Sequence, residues 1–509
     1  MNKLIFYIFI IFGVTLNAQR SEKPNVIIIL ADDMGVGDIS GINPDSKIAT
    51  PNIDKLLKKG IRFTDGHSSS SVCTPSRYSL LTGQYSWRTR LKKKVLHGDS
   101  RAMIDPSVKT IAGVFKNSDY KTAMIGKWHL GWDWQTKNGE ILQEDPENPY
   151  WIAKNDAAKI DYRRPFKGGP TDRGFDYFYG INASLDMPPY TFIENNKVET
   201  LPDSNWKGQG RKSEGPKAHQ KFMRGGVAKP GFDPQQVFPV LKNKTIEYIQ
   251  NADAKAPFFL YVSLTAPHTP VLPDEKFKGK SEAGAYGDFI EQIDAAVGDI
   301  VAAVEEKQIS ENTIIIFTAD NGASKSSFPK EFEAKFDHKP SYNFRGRKGS
   351  LHQGGHAVPF IVSWPGIDPK TIDTPVLQND FLMTFADLLD VEIDENEAVD
   401  SFSLMPLITG DGTYHREASV YNNFGGWLSI RMGDWKMDMT RSRKKTSLYH
   451  IKQDPQEELN LAGKPKYREI QQKLKEKLSE IILNGRSTPG RKLKNEGPEI
   501  WDQLFWLKP

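Results

Sequence analysis

A single cysteine, Cys73, stands among 509 residues, so no intrachain disulfide framework can staple this chain. Charge of one sign is also missing. Lys and Arg number 68 against 64 Asp and Glu, a net charge of +4 that is too slight to imply a nucleic-acid partner. Beyond the first eighteen residues no apolar run reaches the ~20 residues that cross a bilayer. Internal repeats and low-complexity tracts are absent as well. These absences predict a globular protein with no nucleic-acid partner and no stable membrane anchor.

The first eighteen residues read as an export signal. Lys3 supplies the positive start, residues 4–16 the apolar core, and Ala18 a small residue for cleavage before Gln19. No cysteine follows Ala18, which excludes a lipid-modified N-terminus at that point. The mature chain is expected to begin near Gln19 and to work in the periplasm or outside the cell. What remains is long enough for one large α/β domain and a smaller one.

Several short apolar runs read as buried parallel strands, and each stops at a polar cluster. Residues 25–30 run into Asp32-Asp33, and residues 121–125 into Gly126-Lys127-Trp128-His129. Residues 257–264 end at Ala266-Pro267-His268, and residues 313–318 at Asp320-Asn321-Gly322. Residues 358–364 form another run, with Lys348 and Gln353-Gly354-Gly355 just before it. Continuous apolar runs of this length suit strands covered on both faces. Between them lie helical patterns. Thr50-Pro51-Asn52-Ile53 opens one with an N-cap and an N1 proline, and residues 286–304 carry the stripe Phe289, Ile290, Ile293, Val297 and Ile300. The fold class predicted is α/β, a large doubly wound, mixed but mainly parallel sheet flanked by helices. Ligands of such sheets bind beyond the carboxyl ends of the strands, where the polar clusters fall.

The last hundred residues differ. Residues 419–422, 427–432, 435–439 and 447–451 read as short strands separated by turns, and residues 466–483 as a helix closed by Gly485. A small antiparallel sheet with one helix is therefore expected. The domain division predicted is 19–410 for the catalytic domain and 411–509 for a C-terminal subdomain.

Asp32, Asp33, Asp320 and Asn321 offer only oxygen donors, a set that favours calcium or magnesium over zinc. Taken singly, Lys127 and Lys348 read as surface lysines, His129 and His268 as structural histidines, and Cys73 as a small buried hydrophobe. Their convergence on strand ends favours a site. His67, His352 and His356 have no such support and stay unassigned.

Cys73-Thr74-Pro75-Ser76-Arg77 resembles the maturation signature of the formylglycine-dependent sulfatases: cysteine, any residue, proline, any residue, arginine. Ala31-Asp32-Asp33-Met34-Gly35, Gly126-Lys127-Trp128-His129-Leu130-Gly131, Ala266-Pro267-His268 and Ala319-Asp320-Asn321-Gly322 resemble further motifs of that family, in family order. Gly346-Arg347-Lys348-Gly349, Gly354-Gly355, Leu448-Tyr449, Asp454-Pro455 and Asn460 extend the likeness over nearly the whole mature chain. The resemblance implies one calcium ion held by Asp32, Asp33, Asp320, Asn321 and residue 73. It also implies conversion of Cys73 by a formylglycine-generating maturation enzyme to 3-oxoalanine (formylglycine), whose hydrate attacks sulfur. By the same resemblance Arg77 and Lys127 hold that hydrate and Lys348 grips the sulfate. His268 gives a proton to the leaving alcohol, and His129 takes one from the second hydroxyl. Gln353 departs from the pattern, standing where many relatives carry glutamate.

Residues 207–229 hold Lys207, Arg211, Lys212, Lys217, Lys221, Arg224 and Lys229 against Glu214 alone. They read as an irregular basic loop, either solvated or gripping a polyanionic substrate. Trp128, Trp132 and Trp134 are expected to pack the domain rather than stack on sugars. Phe63-Thr64-Asp65-Gly66-His67-Ser68, Arg88-Thr89-Arg90-Leu91-Lys92 and Lys127-Trp128-His129-Leu130-Gly131-Trp132 resemble family members acting on 6-sulfated galactose or N-acetylgalactosamine. The expected function is exported hydrolysis of the sulfate esters of a sulfated glycan. The alternatives are a phosphodiesterase or phosphonate monoester hydrolase of the same superfamily, or a broad arylsulfatase. The phosphoryl-transfer enzymes usually need further His and Asp ligands for a second metal, and no convincing second set is present. A non-catalytic glycan-binding protein would have lost Cys73, Lys127 or His268.

Overall fold

The computed structural model describes residues 23–145, 148–152, 157–210, 215–253, 255–440 and 446–508. The predicted export signal, 1–18, lies outside them. A ten-stranded mixed sheet forms the centre of the large part. Across it the strands run Lys370–Ile372, Ile61–Phe63, Phe360–Ser363, Thr313–Ala319, Asn25–Asp32, Phe258–Pro267, Lys121–Lys127, Tyr177–Ile181, Ile193–Glu194 and Lys197–Val198. The five from Thr313–Ala319 to Tyr177–Ile181 are mutually parallel.

Asn25–Asp32 is buried along its whole length because both faces of the sheet are covered. Its alternating side chains divide between two cores: Ile27, Ile29 and Ala31 enter one, Val26, Ile28 and Leu30 the other. This period of two is what strand geometry imposes. Helices Val237–Asn251 and Gly284–Glu306 cover the first face, and Ile111–Lys116 and Phe381–Leu388 the second. Each isoleucine removed from water contributes about 1.5–3 kcal/mol, so truncating Ile28 to alanine should cost about 2–5 kcal/mol.

The helix predicted after Thr50 runs Pro51–Lys59 and buries Ile53 and Leu56. The run at residues 358–364 is a strand, Phe360–Ser363, but it lies antiparallel to Thr313–Ala319 rather than parallel. The chain reaches it from residues 320–357, already at the carboxyl ends of the parallel strands, so it must travel back.

Strands Ser419–Asn422, Leu428–Met432, Trp435–Met439 and Ser447–His450 form a separate antiparallel sheet in chain order. Helix Arg468–Leu483 buries Leu474, Leu478, Ile481 and Ile482 in a core shared with Tyr85 and Trp87 of the large part. A 3₁₀ turn, Pro465–Tyr467, delays the helix start by two residues from the predicted position. Asn422 pairs with the large part: Ser71 N–H donates to its carbonyl at 2.9 Å, and its own N–H donates to Ser69 O at 3.1 Å.

The basic stretch is more ordered than its sequence indicates. Ser204–Trp206 and Gly226–Ala228 pair as an antiparallel ribbon, with a short helix, Pro216–Gln220, between them. Trp206 drives this by packing against Tyr190 and Phe232. Lys207, Lys217 and Lys221 are exposed, while Arg211, Lys212 and Glu214 lie outside the described residues.

Candidate active site

Asp32 closes the central strand, and Asp33 follows it with φ 68°, a left-handed turn that aspartate tolerates better than most residues. Asp320 and Asn321 follow the neighbouring strand Thr313–Ala319. Lys127 ends its own strand, and His268 follows Phe258–Pro267. Cys73 is the first residue of helix Cys73–Thr82, all ten residues of which are buried. The loop bearing Lys348 is held by close backbone approach. A Cβ on Gly322 would fall 2.0 Å from Gly354 O, so only glycine lets these two turns meet. Gly349 N–H then donates to Ser71 O at 2.8 Å, bringing Lys348 beside Cys73.

The candidate residues converge. Lys348 Nζ lies 2.6 Å from Asp33 Oδ1 and 3.1 Å from Cys73 Sγ. Lys127 Nζ donates to Asp32 Oδ2 at 2.7 Å and to Ser184 Oγ at 3.1 Å. Arg77 makes a two-pronged bond to Asp320 Oδ2, with Nε at 3.0 Å and NH2 at 2.7 Å, and also reaches Asp32 Oδ1 at 3.4 Å. Cys73 Sγ is 3.6 Å from Asp32 Oδ1. His268 Nε2 is 3.7 Å from Asp33 Oδ2, and its Nδ1–H donates to Thr269 O at 2.6 Å. His129 stands slightly apart: Nε2–H donates to Leu96 O at 2.9 Å, while Nδ1 is buried and unpartnered among the described residues. A carbonyl only accepts, which fixes the proton on Nε2.

Burial dominates the electrostatics. It pushes the Cys73 thiol well up, Asp320 adds to that, and Lys127 and Lys348 pull against it. For Asp32 burial works upward but Lys127, His268 and Arg77 outweigh it, so the carboxyl sits below its ordinary range. Lys348 is opposed by burial yet held firmly charged by Asp33 and Cys73. Burial, followed by Lys127 and Arg77, keeps the His129 ring neutral.

This pocket fits a divalent cation. Ligand atoms of Asp32, Asp33, Asp320 and Cys73, all buried, lie within 4.8 Å of one another. Asn321 Nδ2 donates to Asp33 Oδ1 at 2.7 Å, while its Oδ1 is buried without a partner. A half-turn of that amide exchanges the two atoms and adds a fourth oxygen to the cluster. Asp32, Asp33 and Asp320 are matched by Arg77, Lys127 and Lys348, three charges against three, so a divalent ion would leave the pocket net positive.

Other sequence candidates fall elsewhere. His67 and His356 touch through their Nδ1 atoms at 3.1 Å, and His67 binds Asp65, which Arg431 of the small sheet clasps at 2.7 and 2.6 Å. They join the two sheets. Gln353 N–H donates to Glu457 Oε2 at 2.6 Å, and its side-chain Nε2 donates to Pro455 O at 3.1 Å. His352 Nδ1 lies 3.5 Å from Glu457 Oε2. Trp128, Trp132 and Trp134 are each 1% exposed, and Trp132 stacks on Phe166 at 3.9 Å, which makes them packing residues. Ser184, Ser263 and the pair Asp186–Arg224 were not singled out from sequence. Ser184 touches both Lys127 and His268, and Ser263 takes a 2.5 Å bond from Arg77. Asp186 binds Arg224 of the basic stretch and feels His268 as its strongest charged neighbour. Isolated serines in a strand or turn carry no signal of their own; Arg224 was visible only as part of a charge run.

Comparison with known proteins agrees with this geometry. The sulfatase family model matches residues 24–391, and the model for the C-terminal region of N-sulphoglucosamine sulphohydrolase matches residues 347–484. An N-acetylgalactosamine-6-O-sulfatase of Bacteroides thetaiotaomicron is 30% identical over 91% of this chain and 94% of its own. Human arylsulfatase A is 28% identical over 87% of this chain and 84% of its own. A solved sulfatase structure from the metabolism of multiple glycosaminoglycans by B. thetaiotaomicron superposes with a TM-score of 0.77. It is 30% identical and covers 91% of this chain and 99% of that one. With the strand-end cluster in place and the family model spanning most of the chain, this protein belongs to the sulfatase family of the alkaline-phosphatase-like superfamily.

Proposed function

We propose that the protein is an exported carbohydrate sulfatase that removes sulfate from a sulfated glycan, with the 6-sulfate of N-acetylgalactosamine or galactose as its preferred ester. The likeness to an N-acetylgalactosamine-6-O-sulfatase along 91% of the chain supports the sugar. Export rests on the sequence of residues 1–18; among the described residues no helix is long and apolar enough to cross a membrane. We assign residues 19–410 to the catalytic domain and 411–509 to the C-terminal subdomain, a division supported by the separate four-stranded sheet.

The observation that carries the ester chemistry is the cationic lining of residue 73, with Lys348 Nζ 3.1 Å from Sγ and Lys127 and Arg77 on the carboxylates behind it. A calcium ion on Asp32, Asp33, Asp320, Asn321 and residue 73, and a formylglycine made from Cys73 by a maturation enzyme, would supply positive charge and an attacking hydroxyl. The unmodified thiol, pushed up by burial, stays protonated and is a poor nucleophile, which favours the modified residue. Lys348, held charged with its Nζ beside Sγ, binds a sulfate oxygen and offsets its charge. Arg77 and Lys127 fix the carboxylate oxygens and orient the side chain at position 73. His268 is pinned through Nδ1 on Thr269 O, so Nε2 faces the pocket and gives a proton to the departing alcohol oxygen. His129, neutral and with Nδ1 free, takes a proton back.

The test is sulfate release from N-acetylgalactosamine 6-sulfate, galactose 6-sulfate, an aryl sulfate and a phosphodiester, with peptide mass spectrometry at residue 73. Release from a 6-sulfated sugar by protein carrying the aldehyde is expected. Activity with wholly unmodified Cys73, or preference for the phosphodiester, would overturn the reading.

A further inference from the structure

A cleft with a volume of about 1010 Å³ runs away from Lys348 between the residue 339–352 loop and the small antiparallel sheet. That is the upper end of the roughly 300–1,000 Å³ typical of a small-molecule site, room for more than the single sugar bearing the scissile ester. Its charge is one-sided. Lys339 and Arg345 on the loop, and Lys325 and Lys330 before it in the chain, line the cleft, all exposed. The acidic side chains that share the cleft are already spent: Arg347 binds Glu333, and Lys436 Nζ donates to Asp438 Oδ1 at 3.0 Å. Lys325, Lys330 and Lys339 have no ion pair among the described residues, and Arg345 gives one bond, 2.8 Å, to the backbone carbonyl of Glu457. Unpaired cations gathered in one concavity raise its positive potential and concentrate anions.

The opposite wall is polar rather than acidic, with Thr440, Ser447 and Asn460 offering hydroxyl and amide groups and Tyr449 a ring. Tyr342 on the loop wall sits at φ 51°, an uncommon conformation for a bulky residue, and adds a second ring to the lining. Hydroxyl and amide groups under a row of ammonium groups match an acidic saccharide better than a neutral one.

We propose that this cleft binds a second acidic group of the glycan, a carboxylate or another sulfate on a sugar neighbouring the one that is desulfated. The proposal rests on the carbohydrate-sulfatase reading and deepens it: the natural substrate is an acidic oligosaccharide or polymer, recognised away from the sulfur by Lys325, Lys330 and Lys339. Because the contacts are exposed and ionic they contribute binding that weakens with salt, while the chemistry at Lys348 and His268 is left alone.

The test uses the mature full-length enzyme, wild type and Lys325→Ala/Lys330→Ala/Lys339→Ala. Three substrates share the same 6-sulfated sugar: the monosaccharide, an oligosaccharide extended by neutral sugars, and one extended by a uronate or a second sulfate. Wild type should prefer the acidic oligosaccharide over both others by about ten-fold or more in kcat/KM, and the preference should fade by about 0.5 M salt. The triple variant should lose most of that preference through KM, with monosaccharide turnover moved less than about two-fold. Its melting temperature should match wild type, since all three lysines are exposed. Lys339→Glu alone should weaken the acidic substrate further than alanine does. A wild type with no preference, or a triple variant that keeps it, overturns the cleft assignment while leaving the sulfatase reading intact. Hydrolysis of aryl sulfates with no sugar sulfate accepted overturns both.

Discussion

At the strand ends Asp32, Asp33 and Asp320 meet Arg77, Lys127 and Lys348; at the junction with the small sheet Glu457 and Asp438 meet Lys436. Both clusters are buried and ionised, and both include groups spaced as a metal site would space them. At the junction the lysine and Glu457 are fully paired, although the neighbouring His352 Nδ1 makes no hydrogen bond among the described residues. Lys436 Nζ spends its three donors on Leu351 O at 2.7 Å, Asp438 Oδ1 at 3.0 Å and Glu457 Oε1 at 2.5 Å, and Gln353 N–H fills Glu457 Oε2. The strand-end cluster is incomplete: Asn321 Oδ1 and His129 Nδ1 have no partner among the described residues. A closed set of charges fixes a shape, whereas an open one is waiting for something to bind.

The contrast can be broken at either end. Cys73→Ala should remove activity by about 10⁴-fold or more, with the melting temperature unchanged, as read by sulfate release and thermal unfolding. Chelation should likewise lower activity by orders of magnitude, but with a drop of only a few degrees in melting temperature, because Arg77, Lys127 and Lys348 already neutralise the carboxylates. One calcium per chain by elemental analysis is expected; stoichiometric zinc or two metals would count against the donor-set argument. His268→Ala should lower kcat on a sugar sulfate by about 10²- to 10⁴-fold and less on an aryl sulfate, whose leaving group needs little protonation. Equal losses on both would remove His268 from that role.

At the closed cluster the expected damage is to stability. Glu457→Ala leaves Lys436 buried with one partner fewer and should cost about 3–5 kcal/mol by denaturant unfolding. Burial alone would raise the Glu457 carboxyl, but Lys436 and His352 hold it down to about 2, against 4.5 ordinarily. A carboxyl depressed in the folded state contributes stability that is full above pH 4.5 and lost as the pH falls from there through about 2. Glu457→Gln should flatten that acid limb. The smallest effect belongs to Lys217 and Lys221. Both are exposed on the basic stretch, and their joint change to alanine should raise KM on a sulfated oligosaccharide by no more than a few fold, with kcat unmoved.

The open cluster was legible in sequence and the closed one was not, for a physical reason. Asp32-Asp33, Lys127, His268 and Asp320-Asn321 each follow an apolar run, and a strand buried on both faces announces its own end. The sense of Phe360–Ser363 was hidden, because strand direction depends on where the chain has already travelled. Glu457 lies in a loop with no periodicity, and its partners Lys436 and Gln353 sit on different elements. Ser184 acts only through where its turn places it, between Lys127 and His268. Gln353 read as a lost charge, and only the three-dimensional arrangement shows its backbone tied to a carboxylate over a hundred residues away.

Cys73 is 2% exposed, heads a helix with no accessible residue, and is preceded by serines stitched to Asn422. Any enzyme that must close around this side chain to modify it has no route to it in the folded protein. The proposed conversion of Cys73 would therefore have to precede the pairing of Asn422 with Ser69 and Ser71. Anything that hastens folding of the first 400 residues would therefore shorten the time available for maturation, and a stabilised variant could be better folded yet less completely activated.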